Sequence, residues 1–243
     1  MLRIGTWNTQ WTTPRTVRGR LVRDLLADAD CDILCVTEGT ADILPDGGHT
    51  IDAGPDWGCP VKDGEEDRRK VILWSRRPWS RIFPIDTKRP LGGRFVAATT
   101  STEAGPVDVV GVCIPWRNAH VATCQKDRKL WEEHLLWLKA FETKTYRNPT
   151  KTTVVLGDFN QRIPRRGQNK KAYAALRQAF VEYTITTAGW LGAAKGLAID
   201  HIAHTKNLLR MGDIGIWRGQ SEFGRHLSDH FGVWCDFDDA PLS

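Results

Sequence analysis

The chain has 243 residues, 41% of them hydrophobic and 26% charged, with a formal net charge of +5. This is ordinary globular composition and excludes collagen, a wholly disordered chain and a disulfide miniprotein. No apolar run approaches the roughly 20 residues of a membrane helix, and the modest positive excess fits a polyanionic partner without demanding one.

In chain order, Leu2–Trp7 reads as a short strand. Thr13-Pro14 has the form of a helix start, and Val17, Leu21, Val22, Leu25 and Leu26 recur at helical spacing through Ala29. Asp32–Thr37 is a near-continuous apolar run and reads as a buried strand. Lys62–Lys70 mixes both charges and reads as a solvated loop. Val71–Trp74, Ile82–Ile85, Phe95–Thr100 and Val107–Ile114 read as strands between Gly, Pro and charge clusters. Ala122–Phe141 places Leu130, Trp131, His134, Leu135, Leu138 and Phe141 on one helical face. A strand at Thr152–Leu156 and a helix at Asn169–Phe180 follow, then strands near Leu197–Ala203, Gly212–Trp217 and Phe231–Phe237. The expected fold is α/β: two mostly antiparallel sheets face to face with helices outside, in one domain spanning 1–243.

The N-terminus lacks a secretory signal pattern, and none of the six cysteines forms a C-x-x-C pair. These features predict reduced, mostly buried thiols and a cytoplasmic protein. No membrane association and no obligate protein partner are expected.

Five polar positions fall at strand ends. Asn8 ends the first strand and Glu38 the second. Asp158 and Asn160 follow Val154-Val155-Leu156-Gly157. Asp200 and His201 lie in the strand-like Leu197–Ala203, and Ser228-Asp229-His230 precedes the last strand. Strand ends from two sheets can share one edge, so these groups can line one cleft. Carboxylate and amide oxygens without thiolates suit a hard cation such as Mg²⁺ or Mn²⁺. Histidine beside aspartate suits phosphate binding or proton transfer. Neighbours on a strand face opposite sides, so Asp200 is the site candidate and His201 a structural histidine.

The ordered set Trp7-Asn8, Thr37-Glu38, Gly157-Asp158-Phe159-Asn160, Ile199-Asp200-His201-Ile202 and Ser228-Asp229-His230 resembles the endonuclease/exonuclease/phosphatase superfamily. The resemblance runs from residue 7 to residue 230 and implies a four-layer α/β sandwich of the DNase I-like kind. It implies that Glu38 holds a divalent metal, helped by Asn8 and Asp229. It implies that Asp158 orients or deprotonates water, Asn160 donates to the phosphoryl oxygen, His230 contacts the phosphate and Asp200 orients His230. The reaction implied is in-line attack of water on a P–O bond.

Two positions depart from that pattern. Cys113 stands where many members carry His or Tyr against the phosphate, which leaves Arg117, Asn118 or His120 as substitutes. Gln10 stands where abasic-site enzymes tend to place an acid. Arg162, Arg165, Arg166, Lys170 and Lys171 follow the Asp158/Asn160 motif without an acidic residue among them, as a contact to a phosphate backbone would require. Trp116 and Trp190 fall in expected loops, where they could stack on a base or cap a sugar, but core packing is the expected role of each. The leading expectation is a Mg²⁺-dependent nuclease acting on DNA or RNA. A phosphatase or phosphodiesterase on a small, lipid or inositol phosphate is the enzyme alternative. A non-catalytic nucleic-acid-binding or scaffold protein is the third.

Overall fold

Strands that are apolar on both faces must be covered on both sides, and four layers meet that demand. A computed structural model describes residues 1–103, 105–144, 146, 149 and 151–239. Its first half runs β1 (Leu2–Asn8), α1 (Val17–Asp28), β2 (Ile33–Gly39), β3 (His49–Asp52), β4 (Arg69–Ser75), β5 (Trp79–Ile82), β6 (Phe95–Thr102) and β7 (Gly105–Cys113). The second half runs α2 (Glu132–Phe141), β8 (Thr153–Asp158), α3 (Lys170–Ala179), β9 (Thr184–Ile185), β10 (Trp190–Leu191), β11 (Gly196–Leu197), β12 (Asp200–His204), β13 (Leu208–Trp217) and β14 (Gly232–Asp239).

One six-stranded sheet has the order β13-β14-β1-β2-β4-β3 and the other β5-β6-β7-β8-β12-β9. Each is antiparallel except at one central pair, β1 beside β2 and β7 beside β8. A parallel pair needs a long crossover, supplied by the segments that carry α1 and α2. Strand alternation then sorts the side chains. Ile33 and Cys35 face the inter-sheet core with Ile4, Leu73, Val109, Leu156 and Ile202. Leu34 and Val36 face outward against Val22 and Leu26 of α1. On the far side, Val110, Val112 and Val155 pack under Trp137, Phe141 and Leu176 of α2 and α3. The four-layer α/β sandwich expected from the sequence is the fold observed.

Several boundaries differ from expectation. Helix α1 is capped by Thr16, whose hydroxyl accepts from Gly19 N at 3.0 Å, not by Thr13. Thr16 donates twice to Thr13 O, so Thr13–Thr16 closes a turn before the helix. The expected helix over Ala122–Phe141 begins only at Glu132. Cys124, Lys126 and Trp131 have φ of 56°, 53° and 68°, which an α-helix forbids. Strand β5 ends at Ile82, leaving Ile85 in an exposed loop. Of the charged stretch Lys62–Lys70, Arg69 and Lys70 already belong to β4. The expected strand over Leu197–Ala203 splits, so that Asp200 becomes the first residue of β12.

The cysteine expectation is corrected. Cys59 and Cys124 form a disulfide, with Cα atoms 4.7 Å apart, while Cys31, Cys35, Cys113 and Cys235 are free and buried. The two bonded residues are 65 positions apart on different loops, a pairing that spacing arithmetic does not reveal. Arg89, between β5 and β6, ties down the Cys124 side further by reaching both Asp127 and buried Glu133 of α2. The disulfide removes the all-thiol premise for a cytoplasmic protein. Among the described residues no helix is long and apolar enough to cross a membrane. Thiol titration of the denatured chain should find four reactive groups before reduction and six after; six before reduction would refute the disulfide.

Candidate active site

Asp158 ends β8 and Asp200 begins β12, and the two are direct partners in the antiparallel ladder. Ladder partners share a face, so two carboxylates meet there, 2% and 0% exposed. The other sheet answers them. The backbone N–H of Asn8 donates to Asp200 Oδ2 at 3.2 Å, and Asn8 Nδ2 donates to Asp158 Oδ2 at 3.1 Å. His230, in the loop entering β14, sets Nδ1 3.2 Å from Asp200 Oδ2. Ser228 Oγ donates to Asn8 O at 2.7 Å and accepts from His230 N at 3.1 Å, which locks the loop onto β1.

The turn after β8 folds back on Asp158. Asn160 donates its backbone N–H to Asp158 Oδ1 and its Nδ2 to Asp158 Oδ2, both at 2.8 Å. It adopts φ 53°, a left-handed conformation that asparagine tolerates. Gly157 has φ +140°, and a Cβ there would lie 1.9 Å from Val112 O. Glycine therefore lets β8 press against β7 one residue before the site.

Charge follows from burial. Burial pushes Asp158 up to about 7, although the His230 charge works in the other direction. Burial lowers His230, but the charge and hydrogen bond of Asp200 outweigh it and hold the imidazole at about 10. The ring is therefore cationic at neutral pH. Burial also raises Glu38, and the Lys70 ammonium more than reverses this. Lys70 Nζ lies 2.5 Å from Glu38 Oε1 and 4.8 Å from the centre of the Trp11 ring.

Asn8, Asp158, Asn160, Asp200 and His230 are thus brought into one hydrogen-bonded cluster. Glu38 stands beside it on Lys70. Asp229 is exposed, its Oδ1 3.9 Å from His230 Nε2. The tightest set of potential metal ligands among the described residues is Asp158, Asp200 and His230, whose ligand atoms lie within 4.8 Å of one another. The donor set fits a hard cation: it offers carboxylate and amide oxygens, and the nearby thiol of Cys113 is pushed up to about 12 by burial.

The remaining expected residues lie at the rim. Arg162, Arg165, Arg166 and Arg117 are exposed and Asn118 half-buried, and none of these arginines meets a carboxylate among the described residues. Gln10 is engaged elsewhere, its Oε1 bonded to His226 Nε2 at 2.8 Å. His201 is structural, as expected, between Thr187 Oγ1 and Gln161 O. Trp116 and Trp190 are exposed, not core. His120 is buried, and neither ring nitrogen has a hydrogen-bond partner among the described residues.

The sequence reading missed two basic residues. Lys70 opens an apolar run yet faces Glu38 across the β2–β4 ladder, between the pairs Thr37–Val71 and Gly39–Arg69. Arg94 is 4% exposed, and its contacts are to Cys113 O at 3.4 Å and Cys113 Sγ at 3.9 Å, with no carboxylate. Neither stands near a motif, and only strand pairing brings them to the cleft.

Comparison with known proteins agrees with this geometry. The profile of the Endonuclease/Exonuclease/phosphatase family matches residues 5–230. No curated protein matches significantly. Among solved structures, the 3'-5' exonuclease NExo from Neisseria meningitidis is 22% identical, with a TM-score of 0.67 over 98% of this chain and 100% of that one. An AP endonuclease from Archaeoglobus fulgidus is 18% identical, with a TM-score of 0.65 over 98% and 100%. A humanized D. rerio TDP2 is 16% identical, with a TM-score of 0.67 over 98% of each.

Two outcomes follow. Gly157→Ala should cost about 3 kcal/mol in chemical denaturation, from backbone strain plus the clash with Val112 O; an unchanged midpoint would mean β7 yields freely. The His230–Asp200 pair should stabilise the metal-free fold fully below about pH 6.5 and lose that contribution as pH rises through about 10. The stability gap between the protein and His230→Gln should therefore shrink across that range, and a constant gap would contradict the pairing.

Proposed function

The chain belongs to the endonuclease/exonuclease/phosphatase family, whose members hydrolyse phosphoester bonds, and from that premise we propose a divalent-metal-dependent nuclease. The observation that carries the reading is geometric: buried Asp158 and Asp200 are ladder partners, with Asn8 and Asn160 bonded to Asp158 and His230 set against Asp200, and burial raises the Asp158 carboxyl toward neutral pH. A group poised near the working pH is the efficient proton acceptor.

The chain's own residues then divide the work. Asp158 orients the attacking water and takes its proton. Asn160 and the His230 imidazolium donate to the phosphoryl oxygens as negative charge builds there. Asp200 keeps His230 protonated at the nitrogen it faces and fixes the ring. Glu38 and Asn8, with Asp229, would hold Mg²⁺ (or Mn²⁺) through carboxylate and amide oxygens, Glu38 exchanging the Lys70 ammonium for the ion. When bound, such an ion supplies charge neutralisation and a more acidic water.

Nucleic acid is the proposed substrate because Arg117, Arg162, Arg165 and Arg166 are exposed and meet no carboxylate among the described residues, which leaves their charge available to phosphates. The Neisseria NExo and the D. rerio TDP2 have also been seen with a product DNA hairpin and a single-strand DNA product.

The test is cleavage of plasmid DNA, single-stranded DNA, RNA, bis-p-nitrophenyl phosphate and inositol phosphates with Mg²⁺ or Mn²⁺. Asp158→Asn and His230→Gln should each lower kcat about 100- to 10,000-fold, and EDTA should abolish turnover. Turnover of inositol phosphates alone would replace the reading with a small-molecule phosphatase. Silence from folded protein with both metals would replace it with a binding or scaffold role.

A further inference from the structure

Of 11 tryptophans, 3 tyrosines and 8 phenylalanines in the chain, the most exposed among the described residues are Trp116, Trp190 and Phe223. They are 45%, 60% and 96% exposed. Large aromatic rings are normally core-forming, so three of them left in water need a reason. Trp116 and Phe223 stand on loops and Trp190 on the short strand β10, each in a segment joined to the carboxylate cluster.

Trp116 lies two residues beyond Ile114, whose carbonyl accepts from Asn160 Nδ2 at 2.9 Å. Trp190 follows Gly189, whose N–H donates to Ile163 O at 2.7 Å, so it adjoins the basic turn after Asn160. Its strand partner is Leu197, just before the Ile199 carbonyl that accepts from Phe159 N. Phe223 caps a small closed loop whose foot carries Ser228, Asp229 and His230.

That loop holds its ring outward by construction. Gln220 and His226 form a bridge, and Ser221 N donates to Arg225 O at 2.9 Å. Gly224 reverses the chain with φ +74°, which only glycine adopts freely. Leu227 is fully buried at the foot, and its N–H donates to Gly219 O at 2.8 Å. His226 is pinned to Gln10. Phe223 is thus displayed on an anchored support.

Positive charge accompanies each ring. Arg117 is next to Trp116, Lys195 sits in the turn between β10 and β11, and Arg225 flanks Phe223; all three are exposed. Glu222 is the one acidic neighbour at the Phe223 tip.

We propose that these loops bind an unpaired nucleic acid strand, with bases stacked on Trp116, Trp190 and Phe223 and phosphates held by the adjacent basic side chains. In a duplex each base face is covered by its neighbours, leaving only edges and backbone to contact. An unpaired strand offers its π faces, and every base has one. Basic residues alone would serve a duplex; rings interleaved with them serve a single strand. The inference rests on the nuclease reading and narrows its substrate to single-stranded DNA or RNA, or to the unpaired end of a longer molecule.

The experiment is fluorescence anisotropy on the full chain carrying Asp158→Asn. The probes are labelled single strands of DNA and of RNA of about 12 nucleotides, and a blunt DNA duplex of equal length. Single strands should bind about 10-fold or more tightly than duplex, and the DNA and RNA arms identify the polymer. Trp116→Ala, Trp190→Ala and Phe223→Ala should each weaken single-strand binding about 5- to 100-fold while leaving the salt dependence intact. Trp116→Phe and Trp190→Phe should recover most of it, which a folding defect in the alanine variants would not imitate. Arg225→Gln should instead flatten the salt dependence. Alanine variants that bind single strands as tightly as their parent would overturn the proposal. Tighter binding of duplex than of single strands would do so too. Hydrolysis of bis-p-nitrophenyl phosphate by the unsubstituted protein reports separately on the phosphodiesterase reading. Strand binding without any turnover would sink the enzyme and leave the strand site. Turnover without strand preference would sink the strand site alone.

Discussion

Two aspartates face each other at the end of one ladder, both out of water. Like charges about 5 Å apart repel by roughly 3 kcal/mol at an effective dielectric of about 20. A buried pair without compensation would neutralise or unfold its surroundings. The compensation comes from the opposite sheet: Asn8 donates to both carboxylates, and the His230 imidazolium faces Asp200. The cluster therefore exists only while the two sheets hold their distance. The inter-sheet core of Ile4, Cys35, Leu73, Leu156 and Ile202 sets that distance, so packing and chemistry share one dependence.

The same logic explains which parts were legible in the sequence. A strand end announces itself by composition, and Asn8, Glu38, Asp158 and Asp200 were each visible as polar groups closing or opening an apolar run. Strand alternation separated Asp200 from His201, and the structure gives them opposite surroundings. Pairing was not legible. Lys70 meets Glu38 because β4 lies beside β2, and Cys59 meets Cys124 because two loops converge; both contacts belong to topology. The segment before α2 misled for another reason. Leu130 and Trp131 fit a helical face, but the Arg89 network and the disulfide hold that stretch in a form helical periodicity cannot report.

The cationic side of the cleft obeys a different rule from the acidic side. Glu38 has Lys70, and Asp200 has His230, so each of those carboxylates owns a cation. Arg94 is almost wholly buried and forms no carboxylate ion pair among the described residues, although its charge helps to hold Glu38 ionised. The family's aromatic or imidazole contact is absent at Cys113, and Arg94 stands directly against that residue.

Rigidity runs outward from this centre in a definite order. The carboxylates sit at strand ends, the imidazole sits on a loop tied to β1 through Ser228, and the rim rings sit on short closed loops. Each step away from the sheets trades precision for reach. Proton transfer needs fixed distances and is placed on strands. Recognition of a polymer needs breadth, and is placed on loops whose feet are the catalytic residues themselves. Phe223 is the clearest case, because the loop that displays it ends in His230. On the proposed strand site, contact at that ring would also load the segment holding the imidazole, joining the two through one short piece of backbone.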